Sequence, residues 1–312
     1  MKAIVIPVLY LGPGALVVMS TSLLVGGALG VWRGRLGRLA PEAQGRVLTA
    51  ASWAPPLVGV LFMGGGIADW LYFSGVNSFC LRPEEMMVRP SILLIMAFCI
   101  VSIRVLIGGG AIARDLWRSR GVTRAFRDVT APGIANCRLL PLEEPQAFVL
   151  GFVNPQVYVS RGLLEAVRGL DVDAVLAHEE AHLRRRDPLR RLVASLGLTF
   201  HLPGIAGMLR RYLTRAQELA ADAEAACKVG DRVRVAEALI RFGRLRLVRA
   251  APAIEFASSN LEARVLELLD ANQRCREPSG AMLLAGVAVL SLAALLAAHP
   301  LHFAEQVLLR LP

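Results

Sequence analysis

The chain has 312 residues, 55% of them hydrophobic and only 19% charged. A soluble globular domain carries roughly 25% charge, so this composition, with a mean hydropathy of +0.51, argues against a purely water-soluble protein. The net charge of +10 comes largely from arginines beside apolar runs. With no recognition helix or aromatic platform to accompany them, they imply no direct nucleic-acid partner.

The first apolar run, 3–32, contains no charged residue. It is too long for a signal-peptide core and has only Lys2 ahead of it, so an uncleaved helix is expected. Arg33, Arg35, Arg38 and Arg46 follow, against the single acid Glu42. The second run, 49–68, is uncharged, and Arg82 and Arg89 after it are balanced by Glu84 and Glu85. The third, 91–113, is interrupted only by Arg104 and leads into Arg114, Arg118, Arg120, Arg124 and Arg127. A fourth run lies at 280–298. Each offers the length of about 20 apolar residues that a helix needs to cross the hydrocarbon layer. Arginine-rich short loops face the cytoplasm, which places the N-terminus outside, 33–48 inside, 70–90 outside and 114–279 inside. The expected organisation is therefore a membrane region of three transmembrane helices (1–113), a cytoplasmic domain (114–279), and a last transmembrane helix with a short tail (280–312). Such a chain is a multi-pass protein of a cell membrane, of the bacterial inner-membrane kind.

Within 114–279, "AFVLGFV" and "QVYVS" are rich in β-formers and are separated by the turn signal Asn154-Pro155. They predict a small antiparallel sheet. Helices are expected over 162–168 and 172–186, the second capped by Asp171 or Asp173, with Pro188 at its end or opening a new helix. Residues 189–230 read as two helices broken at "HLPG" (201–204). The apolar stretch 191–208 is suited to touch the bilayer but is too short and interrupted for a span. Helical patterns at 231–245 and 260–270 complete the domain. The fold class is an α-helical integral membrane protein of about four spans, with a mainly helical, zincin-like α+β cytoplasmic domain. Cys80, Cys99, Cys137, Cys227 and Cys275 include no C-x-x-C pair and read as packing or surface thiols.

The stretch "AVLAHEEAHLRRRD" (174–187) carries the chemistry. In a helix His178 and His182 lie on one face, where two imidazoles in that register can bind one Zn2+. Glu179, turned about 100° from His178, reaches a water beside the metal rather than the metal itself. A catalytic zinc takes a third protein ligand, and "QELAADAEAA" supplies Glu218, with Asp222 four residues on to accept a hydrogen bond from the far nitrogen of a ligating histidine. The bland alternative is a solvated helix bearing an acidic pair. Tyr212, Arg215 and His201 are candidates to stabilise an oxyanion, with His201 also readable as a packing residue at the helix break. Arg184, Arg185 and Arg186 suit either the C-terminal end of a helix dipole or anionic lipid.

The stretch "GFVNPQVYVSRGLLEAVRGLDVDAVLAHEEAHLRRRD" (151–187), with "ELAAD" (218–222) and "NLEARVLELL" (260–269), resembles the integral-membrane zinc peptidases of the BlaR1/MecR1 type (family M56). The HtpX and CAAX-prenyl proteases of family M48 are their wider kin. The likeness covers about 151–270, and only span order over 1–130. It implies a zinc metalloendopeptidase with His178, His182 and Glu218 as ligands, Glu179 as base and Asp222 behind the ligands. It also implies a protein or peptide substrate, such as a repressor-like regulatory partner, cut on the cytoplasmic side. No extracellular penicillin-binding domain follows the last apolar run, so β-lactam sensing by this polypeptide is not expected. The competing reading is a non-enzymatic membrane signal transducer or scaffold with a vestigial metal site.

Overall fold

The computed structural model describes residues 2–74, 92–132, 137–166, 170–247 and 254–270. Three long helices open the chain: α1 (Lys2–Leu36), α2 (Pro41–Ser74) and α3 (Ile92–Val129). Among the described residues three helical segments are long and apolar enough to cross a membrane, Leu11–Leu36, Pro41–Met63 and Ile95–Phe126. The fourth apolar run, at 280–298, lies outside the described residues, as does nearly all of the 70–90 loop. Leu106 and Ile107 of α3 are exposed at 74% and 63%, side chains that lipid rather than water would cover. The third helix does not end at 113. It runs on to Val129, so the boundary expected between 113 and 114 falls inside α3.

At the end of the membrane-length portion, Phe126 of α3 meets Phe148 and Tyr158, with ring centroids 6.2 and 5.6 Å away. This aromatic contact attaches the long helix to a small sheet of β1 (Ala131–Pro132), β2 (Arg138–Leu140), β3 (Ala147–Leu150) and β4 (Gln156–Ser160). The strand order is β1-β2-β4-β3. The expected pair, β3 and β4, is antiparallel with Phe148 opposite Tyr158. The sheet as a whole is mixed, however, because β2 runs parallel to β4. That correction has a simple cause: β2 lies upstream of the hairpin, outside the two runs that the alternating pattern marks, and its partner is set by packing.

Short helix α4 (Arg161–Ala166) leads to α5 (Leu170–Arg184), α6 (Asp187–Leu198), α7 (Pro203–Val229), α8 (Arg232–Leu247) and α9 (Ile254–Leu269). Two cores result beside the sheet's own. Ala174, Ala177, Ala225, Ala226, Ala236 and Ala238 let α5, α7 and α8 approach closely. Leu48, Leu198, Leu209 and Leu213 join α2 to α6 and α7 in a second core. Helix α7 belongs to both, so it links the membrane-length helices to the α5 helix that bears the histidines.

Candidate metal centre

Alanines at 174, 177 and 181, each at most 2% exposed, bring α5 close against its neighbours. Larger residues there would hold the facing helix off. The histidines four apart on α5 therefore face α7 at close range, and both are buried. His178 Nε2 and His182 Nε2 stand 3.1 Å apart. Glu218 of α7 closes the triangle, its Oε2 3.6 Å from His178 Nε2 and its Oε1 3.7 Å from His182 Nε2. Two ligands bound 2.0–2.1 Å from one tetrahedral ion stand about 3.3 Å apart. The three donors, grouped within 4.8 Å of one another, thus fit one zinc-sized ion, and two imidazoles with a carboxylate are a donor set that zinc accepts.

Each imidazole is backed by its own carboxylate. His178 Nδ1 lies 2.9 Å from Asp222 Oδ1, and His182 Nδ1 lies 2.7 Å from Asp187 Oδ2. Such contacts select the tautomer whose Nε2 is free to ligate. Asp187 is reached by an unusual turn: Arg186 sits in the left-handed region (φ 52°, ψ 43°) between α5 and α6. That turn sends the first residue of α6 back beneath His182. The "RRRD" run contains Asp187, but nothing in its spacing tells that the carboxylate turns back on the histidine.

A second set of residues braces the carboxylates. Arg264 of α9 makes a two-pronged contact with Asp222, both bonds 2.7 Å, and its Nη1 is 3.4 Å from Glu218 Oε2. Arg191 of α6 donates to Glu218 Oε1 at 2.9 Å. Neither arginine stands out in the sequence. They lie 42 and 27 residues from their partners, and only the packing of α9 and α6 on α7 unites them.

The electrostatics follow from this arrangement. Burial by itself would lower the pKa of His178, but the Asp222 and Glu218 carboxylates outweigh it and push the ring up to about 10. Burial opposes the charged form of His182 as well, and Asp187 and Glu218 raise it nonetheless. Glu218 is held well below the usual carboxylate range against its own burial, by the two imidazoles and Arg264. Asp222 is likewise lowered against burial, by Arg264 and His178. The carboxylates thus favour the protonated imidazoles, the imidazoles and Arg264 favour the ionised carboxylates, and a divalent cation bound there would take the place of the ring protons.

Glu179 is buried on α5 between the two histidines. The three oxyanion candidates separate. His201 lies on the turn between α6 and α7, where its ring meets Ser22 of α1 and the Ala51 carbonyl of α2. Helix α7 begins after it at Pro203 and rises about 1.5 Å per residue, so Glu218 lies roughly 20 Å further along that helix, and His201 packs at the helix break instead. Tyr212 packs against the core shared with α2. Arg215 is exposed on α7, one turn before Glu218. Of the arginine run, Arg184 is exposed and pairs with Glu224, Arg185 is buried against Glu42 and Asp187, and Arg186 is exposed.

Arg185 and Arg190 both reach Glu42, in the first turn of α2, at 3.4 and 3.3 Å. The centre therefore lies at the end of the helix bundle where α1 passes into α2. Histidine pair, carboxylate and buried glutamate now stand together at the mouth of three membrane-length helices.

Residues 113–210 match the model of peptidase family M48. That is the wider kin of the sequence resemblance rather than the BlaR1/MecR1 type itself, and M48 peptidases are zinc metalloproteases. The matched segment holds His178, Glu179 and His182 but ends before Glu218, which the geometry brings to the histidines. A protease HtpX homolog of Acidiphilium cryptum (strain JF-5) is 32% identical, over 32% of this chain and 46% of its own length. A second HtpX homolog, of Aquifex aeolicus (strain VF5), is 41% identical over 18% of this chain and 20% of its own length. The chain thus covers less than half of either relative. No solved structure matches. These likenesses, together with the apolar helices, support a multi-pass membrane protein with a metalloprotease-type site.

Proposed function

We propose that the chain is a membrane zinc metalloendopeptidase that hydrolyses peptide bonds of a regulatory or membrane-associated protein on the cytoplasmic side. The observation that carries the reading is the convergence of His178, His182 and Glu218 donors at the spacing of one tetrahedral ion, with the two histidines on the segment similar to peptidase family M48. His178, His182 and Glu218 would hold the ion, with Asp222 and Asp187 fixing the imidazole tautomers. Zinc, when bound, supplies Lewis acidity and lowers the pKa of water. Glu179 takes a proton from the attacking water and returns it to the leaving amine nitrogen, the work of a general base that then acts as an acid. Arg264 favours the ionised form of Glu218, and Arg191 holds its Oε1 in place by a hydrogen bond. The antiparallel β3–β4 pair supports substrate binding as an added strand, because β3 lies at the edge of the sheet. The narrower likeness to the BlaR1/MecR1 type supports a repressor-like regulatory protein as the substrate.

The test uses the full chain in detergent, with dye-quenched casein as substrate and zinc measured by elemental analysis. Wild type is expected to carry zinc and to cleave. Glu179→Gln is expected to keep the zinc and to lose about 10²- to 10⁴-fold in rate, the usual worth of a general base. Full activity in Glu179→Gln overturns the assignment. Folded protein that neither takes up zinc nor cleaves would instead favour the transducer or scaffold.

A further inference from the structure

We propose that residues 192–209 form a re-entrant hairpin, entering the bilayer beside α2 and turning back near its midplane among lipid acyl chains. The metal-binding helices α5 and α7 are thereby both tied to the membrane. The inference rests on reading α1–α3 as membrane spans, not on the proteolytic reading.

Depth is read from the partners. Arg190 of α6 meets Glu42 at the head of α2, and Gly197 packs against the backbone of Ser52 on the same helix. Helix α6 therefore runs parallel to α2, inward from its end. Ten residues of helix from Glu42 to Ser52 advance about 15 Å, half of a hydrocarbon layer about 30 Å thick. The other spans agree. Ile205 packs on Gly26 of α1 and Thr199 on Gly108 of α3, positions well inside both membrane-length segments.

The tip is also furnished for a place without water. Non-helical backbone at membrane depth must have its polar groups met by protein. Here Arg104 of α3 donates to the Leu198 and His201 carbonyls at 3.3 and 3.1 Å. The Leu202 N–H donates to Ser22 Oγ at 3.0 Å, and the His201 ring lies between Ser22 Oγ and the Ala51 carbonyl. The charge in the third apolar run, anomalous for a span, thus closes the end of α6. The sequence frames the element in the same way. Residues 192–209 include no Asp, Glu, Lys or Arg and are bounded by Arg190-Arg191 and Arg210-Arg211, so both ends stay on the arginine-rich side. Val193 and Leu196 remain exposed on the outer face, at 37% and 41%, where acyl chains rather than protein would cover them.

The experiment measures depth, so its outcome is independent of peptidase activity. The full chain is made without native cysteines, and nitroxide labels are placed through Leu196→Cys, Gly204→Cys and Arg232→Cys in lipid nanodiscs. At 196 and 204, collision with oxygen is expected to exceed collision with a water-soluble nickel chelate several-fold, and at 232 the order reverses. Nickel accessibility at 196 and 204 equal to that at 232 overturns the proposal. Wild-type protein in vesicles containing a phospholipid with an acyl-chain diazirine gives a second readout that needs no variant. Adducts within 192–209 support the hairpin, and adducts confined to α1–α3 overturn it.

Discussion

His178 and His182 differ in where their carboxylate partners come from. Asp222 arrives from α7, whereas Asp187 follows His182 by five residues through a left-handed turn. Asp187→Asn keeps the shape of the side chain but removes the charge that orients the ring. Its expected effect is a loss of about 10- to 100-fold in zinc affinity, measured by competition with a chromogenic chelator. Unchanged affinity would make Asp187 a structural residue only. The pH behaviour of metal-depleted protein follows from the shifts. His178 is raised from 6.5 to about 10, so its contribution to stability is full below about pH 6.5 and fades as pH rises through 10. Glu218 and Asp222 are lowered, so theirs is present above the ordinary carboxylate range and is lost as pH falls. Melting temperature after chelation should therefore decline between pH 6.5 and 9, and zinc should flatten that decline because the ion replaces the ring protons. A flat profile without metal would contradict the electrostatics described for the cluster.

Among the elements, α6 does most to place the site, since it begins at Asp187 and ends against the membrane-length helices. The sequence marks its limits well, through Pro188 and the "HLPG" break, but says nothing of its direction. The contact that sets direction is Gly197 on Ser52, and a glycine in an apolar run has no periodic signature. A methyl at 197 would strike the Ser52 carbonyl, so Gly197→Ala should cost about 1–3 kcal/mol in denaturant unfolding of the detergent-solubilised chain. Gly207→Ala is the control. Its methyl would meet only Arg211 Nη1 at an ordinary 3.7 Å, and removing a helical glycine should stabilise by about 0.5–1 kcal/mol. Equal effects at both positions would remove close packing as the reason for Gly197.

For the whole molecule, the arginine distribution predicts sidedness, and the thiols allow it to be read. Cys227 is exposed on α7, on the side expected to be cytoplasmic, and Cys80 lies in the loop expected outside. In single-cysteine chains a membrane-impermeant maleimide should label Cys80 in intact cells, and Cys227 only after the membrane is opened. Labelling of Cys227 in intact cells would invert the topology and place the metal centre on the outer face.

What the sequence by itself determined is local. Long uncharged runs make helices that water cannot solvate, and histidines four apart share a face because 3.6 residues complete a turn. The β3–β4 pair and its turn were legible for the same reason, being near neighbours along the chain. Tertiary structure alone decided the rest. It brought Glu218, offered by the sequence as a third ligand, up to the histidines, set Arg264 on Asp222 across 42 residues, packed His201 against α1 and α2, and added the parallel strand β2. Those pairings join residues far apart in sequence, whose approach depends on how small side chains let helices close on one another. No spacing within a single segment encodes that distance.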